Sequence, residues 1–229
     1  MVELADTIDL GSIAFGVQVQ VLSGASKKLT AEKWSVFFCM NPAKKGILSK
    51  TTLTGGVQMN KNCLVIVDMQ KGFINEHTAH LSRKIADFLE HHQFDSIIAT
   101  RYCNSKNTAC YQLGKWFDCM EGTPSAEIVP EILPYINRIF DKRTFSGFTP
   151  ELQSFLKQEQ FSRLFFCGVN TDCCVLATVF SCYDNVIDCI VIEDLCASTL
   201  GILQHRNAIV LLKDNITENR IITTQTFTP

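Results

Sequence analysis

RLFFCGVNTDCCVLATVFSCY, residues 163–183, contains the change of hydrophobic period that decides the fold. Its first six residues, RLFFCG, form a short apolar run that does not alternate with polar positions. Such a run suits a strand buried on both faces, as in a parallel sheet. From about Asp172 to Tyr183 the pattern becomes helical. A doubly buried strand that leads straight into a helix is half of a βαβ unit.

The same alternation extends in both directions. Further apolar runs are CLVIV (63–67), SIIAT (96–100), INRIF (136–140), VIDCIVIE (186–193) and RIITT (220–224). Between them, Leu81, Ile85, Phe88 and Leu89 recur at helical spacing, and Leu203, Ala208, Leu211 and Leu212 mark a last helix over about 199–213. Thr149 is a natural N-cap, with Pro150 and Glu151 suited to the first turn behind it. The reading is a doubly wound α/β domain over 62–229, with a six-stranded parallel sheet, helices on both faces and a longer loop after the second strand. Residues 1–61 differ. Ile13, Phe15, Val17, Val19 and Val21 alternate with small or polar residues, and a second strand is expected around Trp34–Cys39, giving a small β-rich extension of unknown role. Translation from Met59 would give a complete α/β domain.

Composition narrows the function. The 229 residues fit one α/β domain with an appendage. A net charge of −2 without a basic patch argues against nucleic acid or an anionic membrane as partner. No apolar run reaches the roughly 20 residues of a membrane span, and MVELADTIDLGS lacks the basic start and apolar core of a signal peptide. A cytoplasmic protein acting on a small molecule is expected. Most of the 11 cysteines sit in apolar runs, without the spacing of a zinc site, and read as small core residues.

In an open parallel sheet, reactive groups gather at the carboxyl ends of the strands. Asp68 follows the first strand in VIVDMQKGF, Lys142 the third in IFDKRTFSGF, and Cys174 the fourth in GVNTDCCV. Taken singly, the Asp would cap a turn, the Lys would be solvated and the Cys would pack. Together they suit acyl transfer. A thiol near a helix N-terminus and a lysine is expected to fall from about 8.5 to roughly 3.5–7.5. Asp68 can take the thiol proton and return it to a leaving amine. Backbone amides of the turn can hold an oxyanion. The segment RYCNSKNTACYQLGKWFDCMEG (101–122) is long enough to cover the site. Tyr102, Asn104, Trp116, Phe73 and Phe148 are candidates for the pocket wall, although Trp116 and Phe148 equally suit loop packing.

VIVDMQKGFI resembles the opening Asp motif of the isochorismatase-like hydrolases, KRTFSGF their Lys motif, and GVNTDCCVLAT their Cys motif. EGTPSAEIVPEI and EDLCAS are similar to two further family segments, so the resemblance spans about 62–213 in order. It implies Cys174 as nucleophile, Asp68 as acid and base, and Lys142 as third member. It also implies a cis peptide between Val169 and Asn170, with the amides of Asn170 and Cys174 as oxyanion hole, and Cys173 as a packed neighbour. The implied activity is hydrolysis of a C–N bond in a small amide, ureido or carbamoyl compound through a thioester, without a cofactor, in a homo-oligomer. Nicotinamidases carry an Asp-x-His and a further His that bind a metal. His77, His80, His91, His92 and His205 do not fit that pattern, so no metal is expected and nicotinamide is disfavoured. Two other readings stay open: a thiol-redox protein, and a binding or regulatory module on the same fold.

Overall fold

The computed structural model describes residues 61–228; the strands expected in the N-terminal extension lie outside the described residues. Six strands follow in chain order: β1 (Asn62–Val67), β2 (Ser96–Tyr102), β3 (Arg138–Lys142), β4 (Arg163–Val169), β5 (Cys189–Ala197) and β6 (Ile221–Ile222). All pair in parallel, in the order β3-β2-β1-β4-β5-β6. The main helices are α1 (Ala79–His91), α2 (Ala109–Gln112), α3 (Pro150–Glu159), α4 (Leu176–Asp184) and α5 (Ile202–Ile216). Right-handed crossovers then put α1 on one face and α3, α4 and α5 on the other.

The sheet is buried on both sides for the reason its strands read as unbroken apolar runs. Cys63 to Val67 are all fully buried, as are Phe165, Phe166 and Cys167. A side chain of this size taken out of water contributes roughly 1.5–3 kcal/mol. The centre of the sheet is therefore the anchor from which the strand ends are aimed. Thr149 caps α3 as expected, its side chain accepting from the Leu152 N–H, with Pro150 in the first turn. No helix among the described residues is long and apolar enough to cross a membrane.

Strand boundaries moved where local turns compete. β3 begins at Arg138 rather than at residue 136, because Leu133–Tyr135 forms a 3-10 turn that Ile136 closes. Lys142 is consequently the last residue of its strand. β5 starts at Cys189 because Val186 and Ile187 close the turn after α4, donating to Tyr183 and Cys182 carbonyls. β6 is a two-residue edge strand because a turn joins Thr226 N to Thr223 O.

The order of strands places the reversal of winding between β1 and β4. Ligands in such sheets bind outside the carboxyl ends at that point. Gly168 makes the close approach there. Its φ is +112°, and a Cβ on it would stand 2.2 Å from the Val67 carbonyl oxygen.

Candidate active site

Asp68 leaves β1 with φ of 48°, a left-handed conformation that Asp tolerates better than most side chains. That turn drives its carboxylate inward, where it is fully buried. Oδ1 accepts from the Thr100 hydroxyl at 2.7 Å, and Oδ2 pairs with Lys142 Nζ at 2.7 Å, both side chains shielded from solvent. Lys142 also donates to the carbonyls of Thr144 and Phe145, each at 2.9 Å. The three ammonium protons thus have three acceptors, and the Tyr102 ring lies 5.1 Å from the nitrogen. Burial works against the ammonium, but the Asp68 and Cys174 contacts outweigh it and raise Lys142 above its ordinary value.

Cys174 is buried in a single π-helical turn, Thr171–Val175, that leads into α4. Single π turns of this kind are frequent at functional sites. The expected fall in the Cys174 pKa does not occur: the thiol is raised well above its ordinary value. Its hydrogen bond with Cys173 contributes most, then burial, then the Asp68 carboxylate, while Lys142 opposes them. The bond shared by the two thiols moves Cys173 down as it moves Cys174 up. The thiol lies buried against Cys173 and near Asp68, and Lys142, which opposes both, is already paired with Asp68. Cys174 therefore stands as a protonated thiol near Asp68.

The Val169–Asn170 peptide is cis. The Asn170 carbonyl accepts from Cys173 and Val175, and its side-chain oxygen accepts from the Thr199 N–H at 2.7 Å. Asn75 donates to the Thr199 carbonyl, so the loop after β5 is pinned from two sides. These contacts hold part of the wall of a cavity of about 450 Å³ that Cys173, Cys174 and Asn170 also line. Phe73 and Trp116 also line it and stack, ring centres 5.5 Å apart, and Tyr102 leans on Trp116.

Two candidate wall residues stand elsewhere. Asn104 is buried inside its own loop, donating to the Trp116 and Asp118 carbonyls and accepting from Thr108. Phe148 packs against the core and faces a separate hollow with Leu156 and Phe161. From the same motif it is Phe145 that reaches the cavity, joined by Asn75, Cys110, Thr199 and Leu200. Among the ten described cysteines only Cys110 and Cys173 are half-buried rather than buried, and both line this cavity. Burial raises Cys63, Cys167 and Cys196, as befits core residues.

The sequence profile of the Isochorismatase domain matches residues 62–226. The chain belongs to the isochorismatase family. Solved structures share the family fold at low identity. An isochorismatase-like hydrolase from Alkaliphilus metalliredigens superposes with a TM-score of 0.63 at 22% identity, covering 72% of this chain and 96% of that one. N-carbamoylsarcosine amidase from Thermoplasma acidophilum gives 0.63 at 19%, covering 74% and 99%. Nicotinamidase from Bacillus subtilis gives 0.59 at 19%, covering 71% and 99%. In this isochorismatase-family chain, His77, His80 and His205 border another hollow, beside the start of α5. Among the described residues no group of three or more His, Cys, Asp or Glu side chains is placed to hold a metal ion.

Several supporting residues carried no signal of their own in the sequence. Thr100 faces Val67 across the β1–β2 register and so meets Asp68. Gln70 clamps the Tyr102 backbone, accepting from its N–H at 2.7 Å and donating to its carbonyl at 2.9 Å. Gly147 lies against Thr100: a Cβ there would stand 2.6 Å from Thr100 Cγ2. Gly147→Ala must push Thr100 away from Asp68. The expected cost is about 1–3 kcal/mol of stability, with a fall in kcat of roughly tenfold from the misplaced carboxylate. Urea unfolding and steady-state kinetics of the same preparation check both; unchanged values in each would show that Thr100 does not hold Asp68.

Proposed function

We propose that the chain hydrolyses a C–N bond of a small amide, ureido or carbamoyl compound through a thioester on Cys174. The observation that carries this reading is the solvent-shielded Asp68–Lys142 pair, 2.7 Å apart, acting on the Cys174 thiol at the base of the cavity. The names of two fold relatives, an N-carbamoyl amidase and a nicotinamidase, agree with the substrate class.

Asp68 accepts the thiol proton as sulfur attacks the substrate carbonyl carbon, and Lys142 balances the charge that stays on the pair. The tetrahedral oxyanion is held by the amides of Asn170 and Cys174. No loop or turn hydrogen bond of the described residues uses the Asn170 N–H. A donor of this kind is worth about 3–4 kcal/mol in other enzymes. The C–N bond then breaks as Asp68 returns its proton to the departing nitrogen, leaving the thioester and free ammonia or amine. Water attacks the thioester while Asp68 takes one of its protons. The thiolate departs, recovers that proton, and the acid is released. A raised thiol suits this order, because thiolate forms only when a carbonyl is in place to receive it.

The test is ammonia or amine release from a panel of amides, ureides and carbamoyl compounds, with mass spectrometry of the peptide containing Cys174 after rapid quenching. Release and an acylated peptide, both absent in Cys174→Ala, are the expected result. Release that persists in the variant would remove Cys174 from the mechanism.

A further inference from the structure

Thr171 opens the single π-helical turn that carries Cys173 and Cys174. Two wide hydrogen bonds define it: Val175 donates to the Asn170 carbonyl and Leu176 to the Thr171 carbonyl, each five residues back. A π turn is rare and occurs mostly as one turn inside an α-helix. Its surroundings must therefore favour it over the ordinary helical turn that α4 continues. One clamp lies beyond the turn: the Thr178 hydroxyl donates to the Cys174 carbonyl at 2.6 Å and accepts from the Gly147 N–H at 2.8 Å. The other lies at its start. Thr171 is fully buried, and its hydroxyl meets Nδ1 of His205, in the first turn of α5, at 2.9 Å.

A buried hydroxyl needs a partner, and His205 supplies it from another element of the fold. The imidazole is half-buried beside the hollow it shares with His77 and His80. Burial lowers it below its ordinary value; Glu193 and Asp172 act the other way, and Arg206 and His80 add to the lowering. The ring is therefore uncharged at neutral pH. A hydroxyl both donates and accepts, so either tautomer of the neutral ring completes the bond. The link needs the ring and not its charge. Without it the Thr171 hydroxyl is left unpaired in the core, a cost the chain can shed only by rewinding the turn.

We propose that His205 is a positioning residue: reaching from α5, it holds Thr171 and with it the π turn, and so keeps the Cys174 thiol against Cys173 and turned towards the Asp68–Lys142 pair. An ordinary helical turn in the same place would present the thiol in another direction. The effect on turnover rests on the hydrolase reading above; the aim of the thiol does not, and the two are tested separately.

The aim of the thiol is read from the pH dependence of alkylation by iodoacetamide, followed at Cys174 by mass spectrometry, with Cys110 as internal control. In the parent the midpoint at Cys174 should lie above the ordinary thiol value of about 8.5. In Thr171→Val, which keeps the shape without the hydroxyl, and in His205→Leu, it should fall towards that value while Cys110 stays as it was. Thr171→Ser keeps the hydroxyl, and His205→Asn keeps a hydrogen-bonding group near the place of Nδ1; both should behave as the parent. On a substrate from the panel, kcat of Thr171→Val and of His205→Leu should fall roughly 10- to 100-fold, the scale of a misplacement of about 1 Å. KM should stay within about threefold, because the cavity wall is left intact. The double variant should be no slower than the slower single one, since both remove the same contact. A midpoint unmoved in Thr171→Val or in His205→Leu would overturn the proposal. So would Ser and Asn variants as altered as the Val and Leu ones, or a double variant whose loss is the product of the two singles. Absence of turnover in every protein would sink the hydrolase reading, while the thiol midpoint would still decide the role of His205.

Discussion

Asp68→Asn is expected to lower kcat/KM by roughly 10⁴-fold, on the scale of removing one member of a catalytic unit in other hydrolases. The size follows from how many steps the carboxylate serves. In the proposed mechanism it takes the proton from a thiol that the site itself holds raised, returns it to the leaving nitrogen, and takes another from water. An amide can do none of these, and Lys142 cannot replace it: the ammonium is charged, and its three protons are committed. The variant keeps the shape of the side chain, so Thr100 can still meet it at Oδ1. Comparing kcat/KM of parent and variant on any substrate found in the panel checks this. Residual activity above about a tenth of the parent would mean that another group carries the proton, because the lost general-base contribution alone is worth about 10²–10⁴.

The parts of this site that could be read in the sequence are those that depend on topology alone. In a parallel sheet, whatever stands directly after a strand is delivered to one edge, so Asp68, Lys142 and Cys174 were traceable to a common place from three short apolar runs. Even a two-residue error in the start of β3 left Lys142 at that edge. Residues whose role depends on register were hidden. Thr100 sits inside a buried run, and only the pairing of Val67 with Thr100 turns it towards Asp68. Gln70 and Gly147 act on backbone and side chains far away in the chain, with nothing local to mark them.

The wall residues were legible only in part, because loop side chains have a choice that strand residues lack. Asn104 could face a ligand or satisfy the carbonyls of its own loop, and four hydrogen bonds within the loop decide the matter. Phe145 and Phe148 differ by three positions across a bend, so one faces the cavity and the other the core. The thiol expectation failed differently. A lysine and a helix start are visible in the sequence, whereas the contact with Cys173, the burial of the thiol and the nearby Asp68, which together push it the other way, depend on the fold.

That pairing leads to the second large effect. Lys142→Met should destabilise the domain by about 3–5 kcal/mol, because it leaves the Asp68 carboxylate buried without its counter-charge. For a domain of this size that is a fall of roughly 6–20 °C in melting temperature. Adding Asp68→Asn should restore most of the loss, since a neutral amide beside a methionine carries no unpaired charge, while activity stays absent in both. The sign with pH follows from the raised Lys142. The folded state holds this proton more tightly than the unfolded chain, so the contribution is complete below the ordinary lysine value of about 10.4. It is lost as pH rises through the higher value of the fold. The gap between parent and Lys142→Met should therefore shrink in strong alkali, and also towards acid, where the unpaired carboxylate of the variant takes up a proton. Thermal unfolding of parent, both single variants and the double variant supplies the full cycle. A single variant that melts within a degree of the parent, or a double variant whose loss equals the sum of the two singles, would show that the pair is not the electrostatic keystone of the site.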